Sequence, residues 1–175
     1  TQSGYTSGFS GDGGPATNAA LNTPSGVAAD SQGQVYIADK GNCRIRRVAL
    51  DGTITTVVGN GSVGFSADGT VATNSPMIQP GSIAVDAQDR VFFRDGNRIR
   101  RLDADGLVRT VAGTGGDGFS GVDGPATNAL IKPGNGLSVD GAGNVCFIVE
   151  TTLCKVDANG ILRRVANGLD VSLDS

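Results

Sequence analysis

The chain has 175 residues, 38% of them hydrophobic and 18% charged, with 28 Gly and a net charge of −3. This is enough for one domain with a core, and so much Gly without a collagen period indicates many tight turns between short strands. The acidic balance argues against nucleic-acid binding, and the absence of His excludes Ser-His-Asp and Cys-His mechanisms within the chain.

Chain order begins with "GFSGDGGPATNA" from Gly8 to Ala19. Its Pro enters a short helical turn, "PATNA". Four apolar segments follow, "SGVAAD", "QVYIAD", "RIRRVA" and "TITTVV", rich in residues that suit a pleated surface. The connector returns as "GFSADGTVATNS" from Gly64, ahead of "GSIAVD", "RVFFRD", "RIRRLD" and "LVRTVA". It returns again as "GFSGVDGPATNA" from Gly118, ahead of "NGLSVD", "NVCFIV", "LCKVD" and "ILRRVA". The Asp-Gly and Asn-Gly pairs at Asp51-Gly52, Asp105-Gly106 and Asn159-Gly160 are hairpin signals. Asp30, Asp86 and Asp140 open the turns between first and second segments, where an Asp caps its own turn.

The period is 56 and then 54 residues, and the difference falls in a longer turn near Lys40 to Cys43. Such a period means a repeat architecture. The fold class predicted is therefore all-β: a β-propeller segment of four-stranded antiparallel blades, with repeats at about 8–63, 64–117 and 118–175 of a single 1–175 unit. The stretch "PSGVAADSQGQVYIADKGNCRIRRVALDGTITTVVG" resembles the NHL-repeat β-propeller family, and the resemblance recurs in all three copies. It implies six blades around a channel, of which this chain would supply three, in a secreted or cell-surface protein.

In the family the residue at Asp39 and Asp95 ties the blade's middle turn by hydrogen bonds. Val149 takes that column in copy three, so a structural role that lapses is expected. The recurrent Phe9, Phe65 and Phe119 read as plugs between blades. The connector lacks the Lys-Ser/Thr of a phosphate loop. Asp12, Asp68 and Asp123 would be the ligands of a calcium loop, but one carboxylate per connector favours turn capping. The arginines of "RIRR" read as solvent-facing partners of Asp39 and Asp95, each worth within about 1 kcal/mol. Cys146 and Cys154 lie on consecutive strands and are expected to face each other across the hairpin, close enough for a disulfide; Cys43 would then be the free thiol.

These readings predict a non-catalytic module for protein binding or assembly, with no cofactor and no membrane span, whose partner is another protein or a second copy meeting its open blade faces. One alternative is part of a lactonase- or lyase-type propeller enzyme whose site residues lie in other blades; related lactonases hold calcium with Glu, Asn and Asp, and Glu150 is the only Glu here. Another is an RNA-binding NHL module. The start at Thr1 without Met suggests a piece of a longer propeller, or half of a 3 + 3 dimer.

Overall fold

The computed structural model describes residues 8–167. It contains thirteen strands in three antiparallel sheets, with short 3-10 turns at Ala16–Asn18, Lys40–Asn42, Ala72–Asn74 and Ala126–Asn128. Blade one is β1 (Gly26–Ala29), β2 (Val35–Asp39), β3 (Arg44–Val48) and β4 (Ile54–Val58). Blade two is β5 (Thr70–Val71), β6 (Pro80–Val85), β7 (Val91–Asp95), β8 (Arg98–Leu102) and β9 (Leu107–Ala112). Blade three is β10 (Pro133–Val139), β11 (Val145–Val149), β12 (Thr152–Val156) and β13 (Leu162–Ala166).

Each blade runs as a meander, and the middle one carries β5 outside β9, making five strands where four were expected. That extra strand is the connector itself. Thr70 and Val71 pair with Val108 and Leu107. The other connectors make the same approach through single bridges, Pro15 to Thr53 and Pro125 to Ile161. Two residues of extended chain leave no period to read, which is why the fifth strand escapes sequence analysis.

The connector also reaches back to the preceding blade. Gly59 N–H donates to Ala72 O and Gly113 N–H to Ala126 O, each at 2.9 Å, where the chain leaves its outer strand. The 3-10 turns at Ala72–Asn74 and Ala126–Asn128 thus bond one blade while the residues flanking them pair with the next. Apolar side chains on facing sheet surfaces fill the two spaces between blades. Tyr36, Ile45 and Val58 of blade one meet Ile83, Val91, Phe93 and Val108 of blade two, sealed by Met77. Phe92, Ile99 and Ala112 of blade two meet Val145, Phe147 and Val156 of blade three, sealed by Ile131. Period-2 alternation explains how one strand serves both cores: Phe92 points to blade three and Phe93 to blade one.

A register break recurs in every blade, between Ile45 and Arg46, between Ile99 and Arg100, and between Leu153 and Cys154. It skips Val57 or its equivalent on the outer strand, as a β-bulge does, and bulges re-aim side chains. The residue just after the break points at the connector in all three blades.

Candidate functional site

The connector and the bulged strand meet at a buried polar cluster. Arg46 and Arg100 are 0% exposed, which corrects the expectation of solvent-facing arginines. Arg46 Nη2 lies 2.7 Å from Asp12 Oδ1, and its Nη1 lies 3.6 Å from Asp39 Oδ2. Arg46 Nη2 also donates to Ser10 O, and the Phe9 ring covers the guanidinium at 4.8 Å. Blade two repeats the set. Arg100 Nη1 donates to Ser66 O at 2.9 Å, Nη2 lies 3.6 Å from Asp68 Oδ1, and Phe65 covers it at 4.9 Å. Phe9 and Phe65 are therefore not apolar plugs: they are more than two-fifths exposed and stack on arginines, with Arg44 and Arg98 at 3.7 Å.

Asp39 and Asp95 hold the other side of the cluster. Asp39 accepts from Asn22 N–H at 2.8 Å and from Asn42 Nδ2 at 2.7 Å, so it ties the connector's end as well as the middle turn. Asp95 accepts from Ile78 N–H, the matching connector position. Burial pushes the Asp95 carboxyl above its ordinary range, against the opposing pull of that N–H and of Arg100. Burial likewise lowers Arg100, opposed by Asp68 and Asp95. Nε and Nη1 of Arg46, and Nε and Nη2 of Arg100, have no hydrogen-bond acceptor among the described residues. The set is thus incompletely satisfied, a costly arrangement in a low-dielectric interior.

Blade three replaces the whole cluster. Val122 stands in the column of Asp12 and Asp68, Val149 in that of Asp39 and Asp95, and Cys154 in that of Arg46 and Arg100. Val149 and Cys154 are buried at 1% and 0% and join the apolar core, with Phe119 and Val122 packed against it. Three charges leave together and three apolar groups arrive. The substitutions are visible in the sequence column by column; what sequence reasoning lacked was the contact that links the columns.

The carboxylates weighed as ligands of a calcium loop, Asp12, Asp68 and Asp123, are engaged by other groups. Asp12 faces Arg46, Asp68 accepts from Thr110 N–H and Oγ1 as well as facing Arg100, and Asp123 meets Arg163 at 2.8 Å. Asp123 also sits one residue beyond the column of Asp12 and Asp68. Among the described residues no three His, Cys, Asp or Glu converge on one point. Asp30, Asp86 and Asp140 each accept from the backbone N–H groups two and four residues on. For Asp140, the Asn144 amide and its N–H hold the carboxyl below its usual value.

The Cys146–Cys154 disulfide is corrected. The two-residue turn Glu150–Thr151 pairs Val149 with Thr152, so Cys146 faces Lys155 and Cys154 faces Phe147. A one-residue offset puts the thiols on opposite faces of the sheet. Cys43, Cys146 and Cys154 are all free. Burial raises the Cys146 thiol, helped by Asp140, and burial raises Cys154. Three thiols are expected by reagent titration of the unreduced, denatured protein; a count of one would restore the disulfide.

The outward surface of blade three is apolar. Ile148 is 42% and Leu153 37% exposed, whereas Ile45 and Ile99, in the Leu153 column, are 0% exposed beneath the next blade. Cys146, in the column of Tyr36 and Phe92, lies on the same surface beside a shallow apolar depression of about 250 Å³. No helix is long and apolar enough to cross a membrane among the described residues.

Known proteins share this architecture and part of this sequence. Mouse Teneurin-1 is 32% identical over 171 residues, covering 90% of this chain, and mouse Teneurin-4 is 29% identical over 176 residues, covering 93%. The chain spans about 6% of the length of either relative. Among solved structures, a Bacteroides thetaiotaomicron protein of unknown function superposes with a TM-score of 0.60 at 24% identity, over 86% of this chain and 37% of that one. A Xanthomonas campestris gluconolactonase gives 0.55 at 22%, over 82% and 47%. Virginiamycin B lyase of Staphylococcus aureus gives 0.52 at 16%, over 81% and 40%. Likeness at these identities establishes the propeller fold and nothing of the enzymes' chemistry. The family model of the Teneurin NHL domain matches residues 4–66 and 63–119, and the chain belongs to that family.

Proposed function

We propose that the chain is a non-catalytic protein-binding and assembly module of a cell-surface protein, working through the faces of its blades. The observation that carries this reading is the outward surface of blade three. Columns that are wholly buried in blades one and two, at Ile45 and Ile99, are open there at Leu153, with Ile148 alongside. An apolar surface of this kind marks a contact waiting for a partner. A blade-shaped partner, from elsewhere in the polypeptide or from a second copy, would bury it as blades two and three bury their neighbours. The charged groups support the same reading, because the connector carboxylates are spent on arginines and turns rather than gathered at a reacting centre. Of the free thiols, Cys43 and Cys154 are buried at 4% and 0%, as a cell-surface setting requires, and the half-buried Cys146 lies on the surface that the partner would cover.

The test is light scattering of the protein at micromolar concentration beside an Ile148→Lys/Leu153→Lys variant. The parent is expected to associate and the variant to remain monomeric with an unchanged circular-dichroism spectrum. A monodisperse parent monomer indistinguishable from the variant would overturn the reading.

A further inference from the structure

The two spaces between blades are not alike at the end that carries the first and third turns of each blade. Between blades one and two the turns are clasped: Ser31 N–H and Oγ donate to the two carboxylate oxygens of Asp89, both at 2.8 Å. Asp89 holds φ +58° to do so, where blades one and three have Gly33 and Gly143. Between blades two and three the same two places are Ala87 and Gly143, and neither side chain can make the clasp. A groove of about 720 Å³ lies there instead. That volume falls within the range of about 300–1,000 Å³ typical of ligand sites.

The open space has changed its chemistry as well as its width. Its blade-two wall carries Arg90, Arg101 and Arg109, the first two over the Phe92 ring at 5.7 and 5.9 Å; the carboxylates lining the groove are Asp68, which accepts from Thr110, and Asp157, which accepts from Arg163. The blade-one positions matching Arg90 and Arg109 are Gln34 and Thr55. So the clasp is lost, and two arginines are gained at one place together with one carboxylate, Asp103 where blade one has Ala49. The opposite wall is short, with Gly141, Gly143 and Gly160, and a Cβ on any of these would meet nothing within 4 Å.

The arginines are held from behind. Asp86 takes Nε of Arg90 at 2.6 Å and faces its Nη2, while Asp103 takes Nε and Nη2 of Arg101. This leaves Nη1 of Arg90 and of Arg101 with no acceptor among the described residues, on side chains 36% and 28% exposed, whereas both Nη groups of Arg109 are taken by Asp103 and Asp105. Guanidinium groups fixed by carboxylates on one edge present their other edge to an incoming anion in a set orientation, the geometry that suits a carboxylate. The low glycine wall opposite leaves room for extended main chain beside the acidic group.

The geometry points to a peptide-docking groove between blades two and three that receives an acidic side chain of an extended polypeptide segment on Arg90 and Arg101, with Arg109 alongside. The inference rests on the protein-binding reading and names one class of partner for it.

The experiment titrates the protein with capped hexaglutamate and follows amide signals by NMR, with hexaglutamine, glutarate and inorganic phosphate as parallel probes. Saturable shifts at Gly141, Gly143 and Gly160 are expected with hexaglutamate, and none of that size with hexaglutamine. Arg90→Gln/Arg109→Thr, which installs the residues of blade one, is expected to weaken binding at least tenfold. Arg44→Gln removes a charge from a different blade and should leave affinity within about twofold, since screening confines exposed charges to about a Debye length. Gly141→Leu fills the groove at a position with open space and no positive φ, and is expected to abolish the shifts. Ala87→Ser/Gly143→Asp rebuilds the clasp and should do the same. Equal binding of hexaglutamine, unchanged affinity in the groove variants, or the absence of saturable shifts each overturns the proposal. Phosphate or glutarate competing at the same concentration as hexaglutamate also overturns it, in favour of a small-anion site. The groove variants leave Ile148 and Leu153 untouched, so association that persists in them upholds the broader reading even where the groove fails.

Discussion

Arg100→Cys alone is expected to destabilise the protein by about 3–5 kcal/mol in urea denaturation, the cost of leaving buried charge without its partner. The change copies blade three, which carries Cys154 at this place, and so tests whether the residue is tolerated out of its context. Asp95, 3% exposed, loses its buried counter-charge, Asp68 loses an ion-pair partner, and the Ser66 carbonyl loses its donor. The triple variant Asp68→Val/Asp95→Val/Arg100→Cys installs the whole apolar set and is expected to recover at least about half of the loss. Its remaining deficit comes chiefly from Ile78 N–H, left without the Asp95 acceptor, a cost of about 1–3 kcal/mol. A triple variant less stable than the single one would refute the exchange of the cluster as a unit. Acid separates the variants further. The raised Asp95 carboxyl means that the folded protein binds this proton more readily than the unfolded chain, so the penalty for ionising it stands at neutral pH and fades as pH falls through the folded value. The single variant's deficit should therefore narrow on acidification, and that of the triple variant, which lacks Asp95, should not narrow through this group.

The strands, their order and the short turns were legible because each is written locally. Alternating apolar residues mark the strands, and Asp-Gly pairs mark the outer hairpins. The longer turn at Lys40–Cys43 also showed, since two extra residues shift the period, and it folds as a 3-10 turn ending in Cys43 at φ +51°. The bulge was not legible. It adds a residue to a valine run, Val57-Val58, that reads equally well without it. Plain alternation along β3 and β8 turns Arg46 and Arg100 toward the connector that covers them, and Arg is a residue usually found outside unless paired. The exposed ion pair expected at these positions is overturned by the connector, whose Ser10, Asp12, Ser66 and Asp68 lie over the guanidinium groups.

The cysteine pairing failed for a related reason. Strand identity was right, but register depends on the loop having two residues, Glu150 and Thr151, and one residue of slip reverses every face. By contrast, the exchange of Asp12, Asp39 and Arg46 for Val122, Val149 and Cys154 was present in the aligned copies. A repeat protein holds its own comparison set: columns that change together in one copy are candidates for contact. The open groove between blades two and three shows in the same way, through the loss of the Ser31 and Asp89 partners and the gain of Arg90 and Arg109.

Gly113→Ala is the second substitution expected to cost several kcal/mol, and Gly106→Ala is its control. Both glycines have positive φ, +92° and +77°. At Gly106 an added Cβ meets nothing within 4 Å, so only the left-handed backbone is strained, a cost of about 1–2 kcal/mol. At Gly113 the Cβ would overlap the Asn97 carbonyl oxygen and lie 2.8 Å from Ile131 Cγ1, and Ile131 is 0% exposed. Neither neighbour gives way easily: one is main chain, the other seals the core between blades two and three. Gly113 N–H also donates to Ala126 O, the bond by which the connector grips the blade it is leaving. Relieving the overlap moves that N–H away from its acceptor. The total is expected to exceed about 3 kcal/mol, strain and overpacking together. Gly59 repeats the arrangement at the first junction, its Cβ overlapping Cys43 O and lying 2.9 Å from Met77 Sδ, so Gly59→Ala should match Gly113→Ala. Hydrogen exchange should show where the damage lies: the amides of Ala126–Asn128 lose protection in Gly113→Ala, while those of β7 and β8 keep theirs. Equal destabilisation by Gly106→Ala and Gly113→Ala would mean that backbone conformation alone is at work and that the close packing of the junction contributes nothing.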